Sequence, residues 1–182
     1  MKKLKLVALS LFSVAFMACE PEENNDDNNN KTNVASHEGS DRDISYANVA
    51  FGANINSVFT LFLDLHDGDQ ANSWSGGTFM VSFGVNGSDS LVIEPGTYTY
   101  NAQGGVNTFS SFQLIVAEGG DTNTFMATAG TLEIEESAHE GNYKLSFDVD
   151  TQHNMHAEHS ANLTGNYSGT TQYYSIKGIE NE

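Results

Sequence analysis

From Tyr46 onward, apolar and polar residues follow a strand period rather than a helical one. Short β-prone runs alternate with clusters of Gly, Asn, Asp and Ser, the pattern of strands joined by turns. The clearest run is Tyr143–Asp150. Tyr143, Leu145, Phe147 and Val149 share one face, and Lys144, Ser146, Asp148 and Asp150 share the other. Such two-residue alternation predicts a half-buried antiparallel strand. Ala157–Ser168 repeats it, with Ala161, Leu163 and Tyr167 inward and Asn162, Thr164, Asn166 and Ser168 outward. Further strands are predicted over Asn56–Leu65, Thr78–Val85, Leu91–Ile93, Thr97–Tyr100, Phe109–Glu118 and Thr171–Ile176, with Phe125–Glu135 forming one strand bent at Gly130. Asn86-Gly87 is the strongest two-residue hairpin signal.

About nine to ten strands at this spacing predict an all-β fold, an antiparallel β-sandwich, with a closed lipocalin-like barrel as the alternative. The sandwich is favoured because strand lengths vary and several strands carry bulky aromatics inward. Hydrophobic residues make up 38% of the chain and glycine contributes 17 residues, an ordinary share for a globular domain. Residues 46–182 are read as a single domain, long enough to bury about two-thirds of its unfolded surface.

The chain before Tyr46 has a different character. Residues 20–43 carry acids and polar amides with almost no large apolar side chain. They cannot bury enough surface to offset the entropy of ordering, so residues 19–45 are expected to form a disordered tether. At its start, Lys2, Lys3 and Lys5 precede the uncharged run Leu6–Phe16. That is the pattern of a signal peptide over residues 1–18, too short for the roughly 20 residues of a spanning helix. Small Ala18 is followed at once by Cys19, the single cysteine of the chain, so no intramolecular disulfide can staple the domain.

Phe16-Met17-Ala18-Cys19 resembles the lipobox of bacterial lipoproteins, with Phe16 where that family most often has Leu. The resemblance implies cleavage before Cys19, a diacylglyceryl group on its thiol, and attachment to a membrane through acyl chains. Each buried methylene of such a chain contributes about 0.8 kcal/mol. Glu20, Glu22, Glu23, Asp26 and Asp27 resemble the acidic export signal of surface-exposed lipoproteins in Bacteroidota-type bacteria. This implies an outer-membrane protein facing the cell surface, with a periplasm-facing placement as the alternative. The segments PGTYTY, GTLEI, NYKLSFDVD and LTGNYSG are similar to a recurring β-sandwich of those lipoproteins over residues 46–176. That likeness implies a fold and no particular activity.

Charge narrows the partners. Seven basic residues face 24 acidic ones. Loss of residues 1–18 would remove three lysines, leaving four basic against 24 acidic residues and a net charge of −20. Nucleic acid is excluded as a partner, because affinity for phosphate comes from Lys and Arg. Anionic lipid gains nothing from such a surface, so the acyl chains on Cys19 would hold the membrane alone.

Three constellations are candidates for chemistry. His153, His156 and His159, with Met155 between them, offer ligands to a borderline transition metal. The segment reads as strand–turn–strand, whose spacing separates them: His159 shares the register of inward Ala161 and Leu163, His153 and His156 belong to the turn, and only a hairpin would bring His153 opposite His159. Asp64, Asp67 and Asp69 offer hard oxygen ligands for calcium without matching the EF-hand loop, and Asp67-Gly68 is equally a turn. Trp74, in a Ser/Gly loop, offers a face for stacking on a sugar ring. No G-x-S-x-G nucleophile motif occurs. The expectation is a non-catalytic, cofactor-free domain that binds an extracellular glycan or protein or acts structurally. The alternatives are a small-ligand carrier with a barrel cavity and a metal-binding protein using the His153–His159 hairpin.

Overall fold

Inward-facing apolar side chains at alternate positions draw the described chain into ten strands: β1 (Val34–His37), β2 (Ser40–Asp43), β3 (Tyr46–Ile55), β4 (Val58–His66), β5 (Phe79–Gly87), β6 (Gly96–Tyr100), β7 (Thr108–Glu118), β8 (Asp121–Glu136), β9 (Asn142–His153) and β10 (Ser160–Tyr174). A computed structural model describes residues 32–68, 77–89, 91–137 and 141–174. Among them there is no helix, and so none long and apolar enough to cross a membrane. The fold is all-β, as its periodicity predicts.

The strands belong to one ten-stranded sheet. From β3 the ladder passes antiparallel through β4, β5 and β7 to β8, β9 and β10. The end of β10 then runs parallel to β3, pairing Thr171 with Ala47 and Tyr173 with Val49. The pairings therefore return to the strand where they began. β6 lies between β7 and β8 beyond their direct pairing.

The interior so enclosed is filled by side chains. Phe83 on β5 meets Phe109 and Phe112 on β7 at ring-centroid distances of 5.4 and 5.2 Å, and Phe147 on β9 at 5.4 Å. Burying one such ring contributes about 1.5–3 kcal/mol. Phe147 lies against Gly165 on the paired strand, where a Cβ would collide with its ring. Tyr98 on β6 is buried as well, its hydroxyl donating to the Glu94 carbonyl at 2.7 Å.

Four local expectations are revised. Leu91–Ile93 forms no strand; Asp89 Oδ1 accepts the N–H groups of Leu91 and Val92 in a turn instead. The fold does not begin at Tyr46. β1 pairs with β10 and β2 with β1, so the folded part reaches back through residues assigned to the tether. Val34–His37 supplies only a short alternation, and its buried residues are Ala35 and His37. Asn56 and Ser57 are the turn of the β3–β4 hairpin, both at positive φ (53° and 65°), as a type I′ turn requires. Asn86-Gly87 ends β5 without making a hairpin. Asn86 is buried, and its side chain accepts from Thr60 Oγ1 at 2.7 Å and donates to Ser110 Oγ at 2.9 Å and Thr108 Oγ1 at 3.2 Å. A residue that ties β4, β5 and β7 together is unavailable for a turn. Phe125–Glu135 forms one strand as expected, and Gly130 within it has φ +134° and packs so close to β9 that a Cβ there would stand 2.6 Å from Val149 Cα.

Candidate functional site

Three chain reversals converge at one end of the sheet: the β1–β2 turn at Glu38 and Gly39, the β7–β8 turn at Gly119 and Gly120, and the β9–β10 loop. They frame a pocket of about 260 Å³. Phe79, Val116 and Phe125 give it an apolar floor, and its walls carry His37, His153, His156 and His159. Strand alternation explains the placement of two of them. His37 and His153 follow the inward faces of β1 and β9, each taking a core position at the strand's last residue.

His153 ends β9 and His159 precedes β10, and the backbone N–H of His153 donates to the His159 carbonyl at 2.8 Å. The β9–β10 hairpin thus brings the two residues together, with their rings stacked at 6.0 Å and His156 at 5.0 Å from His153. The ring nitrogens of His153 serve the loop. Nδ1 accepts the backbone N–H groups of Met155 at 3.1 Å and His156 at 3.2 Å, which leaves the proton on Nε2, facing Asn123 Oδ1 at 3.3 Å. An imidazole with both nitrogens so engaged shapes a turn. Among the described residues, no three His, Cys, Asp or Glu side chains stand together at metal-ligand spacing.

His37 was not singled out by its sequence context, yet it is the most enclosed histidine of the group, its side chain 5% exposed. Its ring meets Phe125 edge-on at 4.6 Å. Its Nε2 lies 3.2 Å from Thr151 Oγ1, and that hydroxyl donates to the Ala161 carbonyl at 2.8 Å. The hydroxyl therefore accepts from His37 Nε2–H. Burial pushes the His37 pKa down, Glu38 opposes that effect, and His159 adds to it.

Glu38 joins two walls of the pocket. One carboxylate oxygen bonds His159 Nε2 and the other lies 3.9 Å from His37 Nδ1. On another side, Arg42 of β2 forms an ion pair with Glu118 at the end of β7. These contacts fasten the β1–β2 hairpin across the pocket to β10 and β7. No known protein family, curated protein or solved structure matches the chain. The residues of this pocket must therefore speak for themselves.

The remaining candidate residues lie elsewhere. Cys19, Asp69 and Trp74 are outside the described residues. Asp67 spends both carboxylate oxygens on the start of β5: Oδ1 accepts the N–H groups of Thr78 and Phe79 at 2.8 and 2.9 Å, and Oδ2 accepts Thr78 Oγ1 at 2.7 Å. Asp64 alternates with inward Leu63 and Leu65, so it points to the opposite face of β4. There burial raises its pKa, against the effects of a Ser82 hydrogen bond and nearby His66. A raised carboxyl pKa opposes the charged form that calcium takes. His66 beside it is 2% exposed, with Nε2 3.0 Å from Asn48 Nδ2 and its pKa pushed down by burial.

Four residues that frame the pocket, His37, Glu38, Arg42 and Glu118, carry no motif. His37-Glu38-Gly39 sits in acid-rich sequence that reads as tether. The one local signal is the glycine after Glu38, since both Glu38 and Gly39 adopt positive φ (52° and 76°) in the tight turn.

Proposed function

We propose that this protein is a lipid-anchored lipoprotein of the bacterial outer membrane, facing the cell surface. Its β-domain works by binding rather than by catalysis. The observation that carries the anchor is the run from Lys2 to Cys19: a basic start, eleven uncharged residues and a small residue before a solitary cysteine. Acyl chains on Cys19 supply the membrane attachment that a strongly acidic chain gains from no lipid headgroup. The acidic stretch after Cys19 supports export to the surface and gives the domain reach.

The pocket favours the ligand-binding version over a purely structural one. Small-ligand sites are concave, apolar at the base and edged by a few convergent polar groups. The pocket at the β1–β2, β7–β8 and β9–β10 end shares the concavity and the convergent polar groups, with a lining of nine polar or charged residues around Phe79, Val116 and Phe125. It also supports the small-ligand alternative in a modified form, with the ligand at an end of the fold rather than within its filled interior.

Metabolic labelling with an alkyne fatty acid tests the anchor. The wild-type chain takes the label and sediments with membranes, and Cys19→Ser does neither. An unlabelled, soluble wild-type chain would overturn the proposal. Protease digestion of intact cells tests the orientation: cleavage is expected, and full protection would place the domain in the periplasm. Turnover of any compound by the purified protein would remove the non-catalytic reading.

A further inference from the structure

Three chain reversals meet at the end of the fold opposite the pocket: the β3–β4 turn, the β5–β6 loop and the β6–β7 loop. Each presents an apolar side chain. Ile55 makes the last pair of the β3–β4 hairpin, and Phe59 of that hairpin lies opposite Gly87 at the end of β5. The Asn107 N–H donates to the Asn86 carbonyl at 3.0 Å, which brings Val106 alongside. Leu91 stands on the β5–β6 loop, whose Ile93 is buried in the core. Among the described residues, six large apolar side chains are exposed, and Ile55 (68%), Leu91 (57%) and Val106 (49%) belong to this end, with Phe51 further along the same hairpin. Met126 and Met155 stand toward the pocket end. Single exposed apolar residues are ordinary, whereas three on adjoining loops form the kind of patch that marks a protein or membrane contact.

Charge is arranged to match. Asn56-Ser57 and residues 101–107 carry none. The carboxylates of the β5–β6 loop serve the loop itself: Asp89 Oδ1 accepts the N–H groups of Leu91 and Val92, and Glu94 Oε2 accepts the Ser88 hydroxyl at 2.7 Å. Only the β8–β9 side of this end is charged, with Glu135 paired to Lys144 and Glu136 beside them. The turns at the pocket end carry Glu38, Glu118, Asp121 and Glu158 instead.

We infer that the apolar end is a membrane-contact surface, an inference that rests on the anchor reading of Cys19. Ile55, Leu91 and Val106 enter the headgroup–acyl boundary of the bilayer that holds the acyl chains, and the pocket points away from it. The route of the chain selects a lipid surface over other partners. β10 starts at the pocket end, and β1 runs antiparallel to it, with Val34 opposite Asn166 and His37 opposite Leu163. β1 therefore runs toward the pocket, and the chain enters it from the apolar end. Asn33 is 14 residues beyond Cys19, a separation of at most about 50 Å. A link of that length keeps the domain at an effective concentration on the order of millimolar beside the bilayer. A contact too weak to recruit a free domain is then populated. It needs no cationic residue, since apolar burial at the interface supplies it, and on a zwitterionic surface the acidity of the chain is no obstacle. The charged β8–β9 side stays in water, so the domain rests on the β3–β4, β5–β6 and β6–β7 loops.

Reconstitution of the lipidated full chain into phosphatidylcholine vesicles tests the orientation. A nitrobenzoxadiazole fluorophore is placed on Ala102→Cys, in the β6–β7 loop, or on Met155→Cys at the pocket end; acylation of Cys19 leaves the introduced thiol as the one that reacts. The label on Ala102→Cys should shift to the blue and be quenched by brominated lipid, at least threefold more strongly than the label on Met155→Cys, which keeps its aqueous emission. Adding Ile55→Ser/Leu91→Ser/Val106→Ser, checked for folding by circular dichroism, should return the first label to aqueous emission while the chain still floats with the vesicles. Equal quenching at the two positions, stronger quenching at Met155→Cys, quenching at neither in a chain that floats, or an undiminished shift in the triple variant would overturn the contact surface and leave the anchor standing. A wild-type chain that neither carries acyl groups nor floats would overturn the anchor reading and this surface with it.

Discussion

Replacing His37 by Phe converts the pH dependence of folding into a measurement on one buried imidazole. The substitution keeps an aromatic ring against Phe125 and removes the hydrogen bond from Nε2 to Thr151. Thr151 still donates to the Ala161 carbonyl, so no hydroxyl proton is orphaned and the cost at pH 7.5 should be about 1 kcal/mol. The titration acts in the opposite direction. Burial holds the folded-state pKa of His37 below its ordinary 6.5. As pH falls through about 6.5, the unfolded chain therefore binds a proton that the folded chain refuses, and stability falls. The contribution of neutral His37 is fully present above 6.5 and is lost progressively as pH drops toward the folded-state value. Its slope can reach about 1.4 kcal/mol per pH unit. The phenylalanine variant lacks this loss. Its deficit of about 1 kcal/mol should accordingly shrink toward zero, or reverse, between pH 7.5 and 5.5. His66 and Asp64 titrate in both proteins, so the difference isolates His37. Urea unfolding followed by far-ultraviolet circular dichroism at half-unit pH steps gives the curves. A constant gap between the two proteins across that range would refute the reasoning.

Other residues give independent checks. Asn86→Ala removes three side-chain hydrogen bonds among β4, β5 and β7 and should cost about 2–4 kcal/mol, read as a lower urea midpoint at unchanged slope; a shift near zero would mean that Asn86 serves only as a loop residue. Gly130→Ala places a Cβ against the β9 backbone at φ +134° and should cost at least about 1–3 kcal/mol, whereas wild-type stability would contradict that close approach. The Tyr98 phenol, buried beside Glu94 and Tyr143, has its pKa pushed up to about 12. An ultraviolet titration should therefore show a tyrosine that ionises well above the ordinary range, with folding stability declining from about pH 10 toward 12, and Tyr98→Phe should abolish that late step.

Most of the strand content was legible because burial on one face forces a period of two. Tyr143, Leu145, Phe147 and Val149 all point inward, as their alternation requires. The special backbone at Gly130 was legible because a lone glycine inside a β-prone run marks a position that other residues tolerate poorly. What the sequence concealed depends on contacts made across the sheet. Val34–His37 becomes a strand because β10 offers it a free edge, and nothing local to Val34, Ala35 or Ser36 announces that partner. Asn86 carries the signature of a turn but is held by hydroxyls at residues 60, 108 and 110. At the site, the pairing of His153 with His159 could be read from hairpin geometry. The arrival of His37 and Glu38 could not, since they are separated from His159 by more than a hundred residues. The role of His153 also escaped the spacing, because a nitrogen that accepts two loop N–H groups looks the same in sequence as one free to bind a ligand.

The central claim is that ligand binding occurs at the end pocket framed by Glu38, Arg42 and the four imidazoles. The most direct measurement is nuclear magnetic resonance of the histidine ring protons during titration with a panel of neutral, anionic and cationic small molecules at pH 7. The resonances of His37, His153, His156 and His159 should shift along a common saturation curve while that of His66, on the opposite face of β4, stays fixed. Saturable shifts at His66 with none at the four pocket histidines, or no saturable shift anywhere, would contradict it.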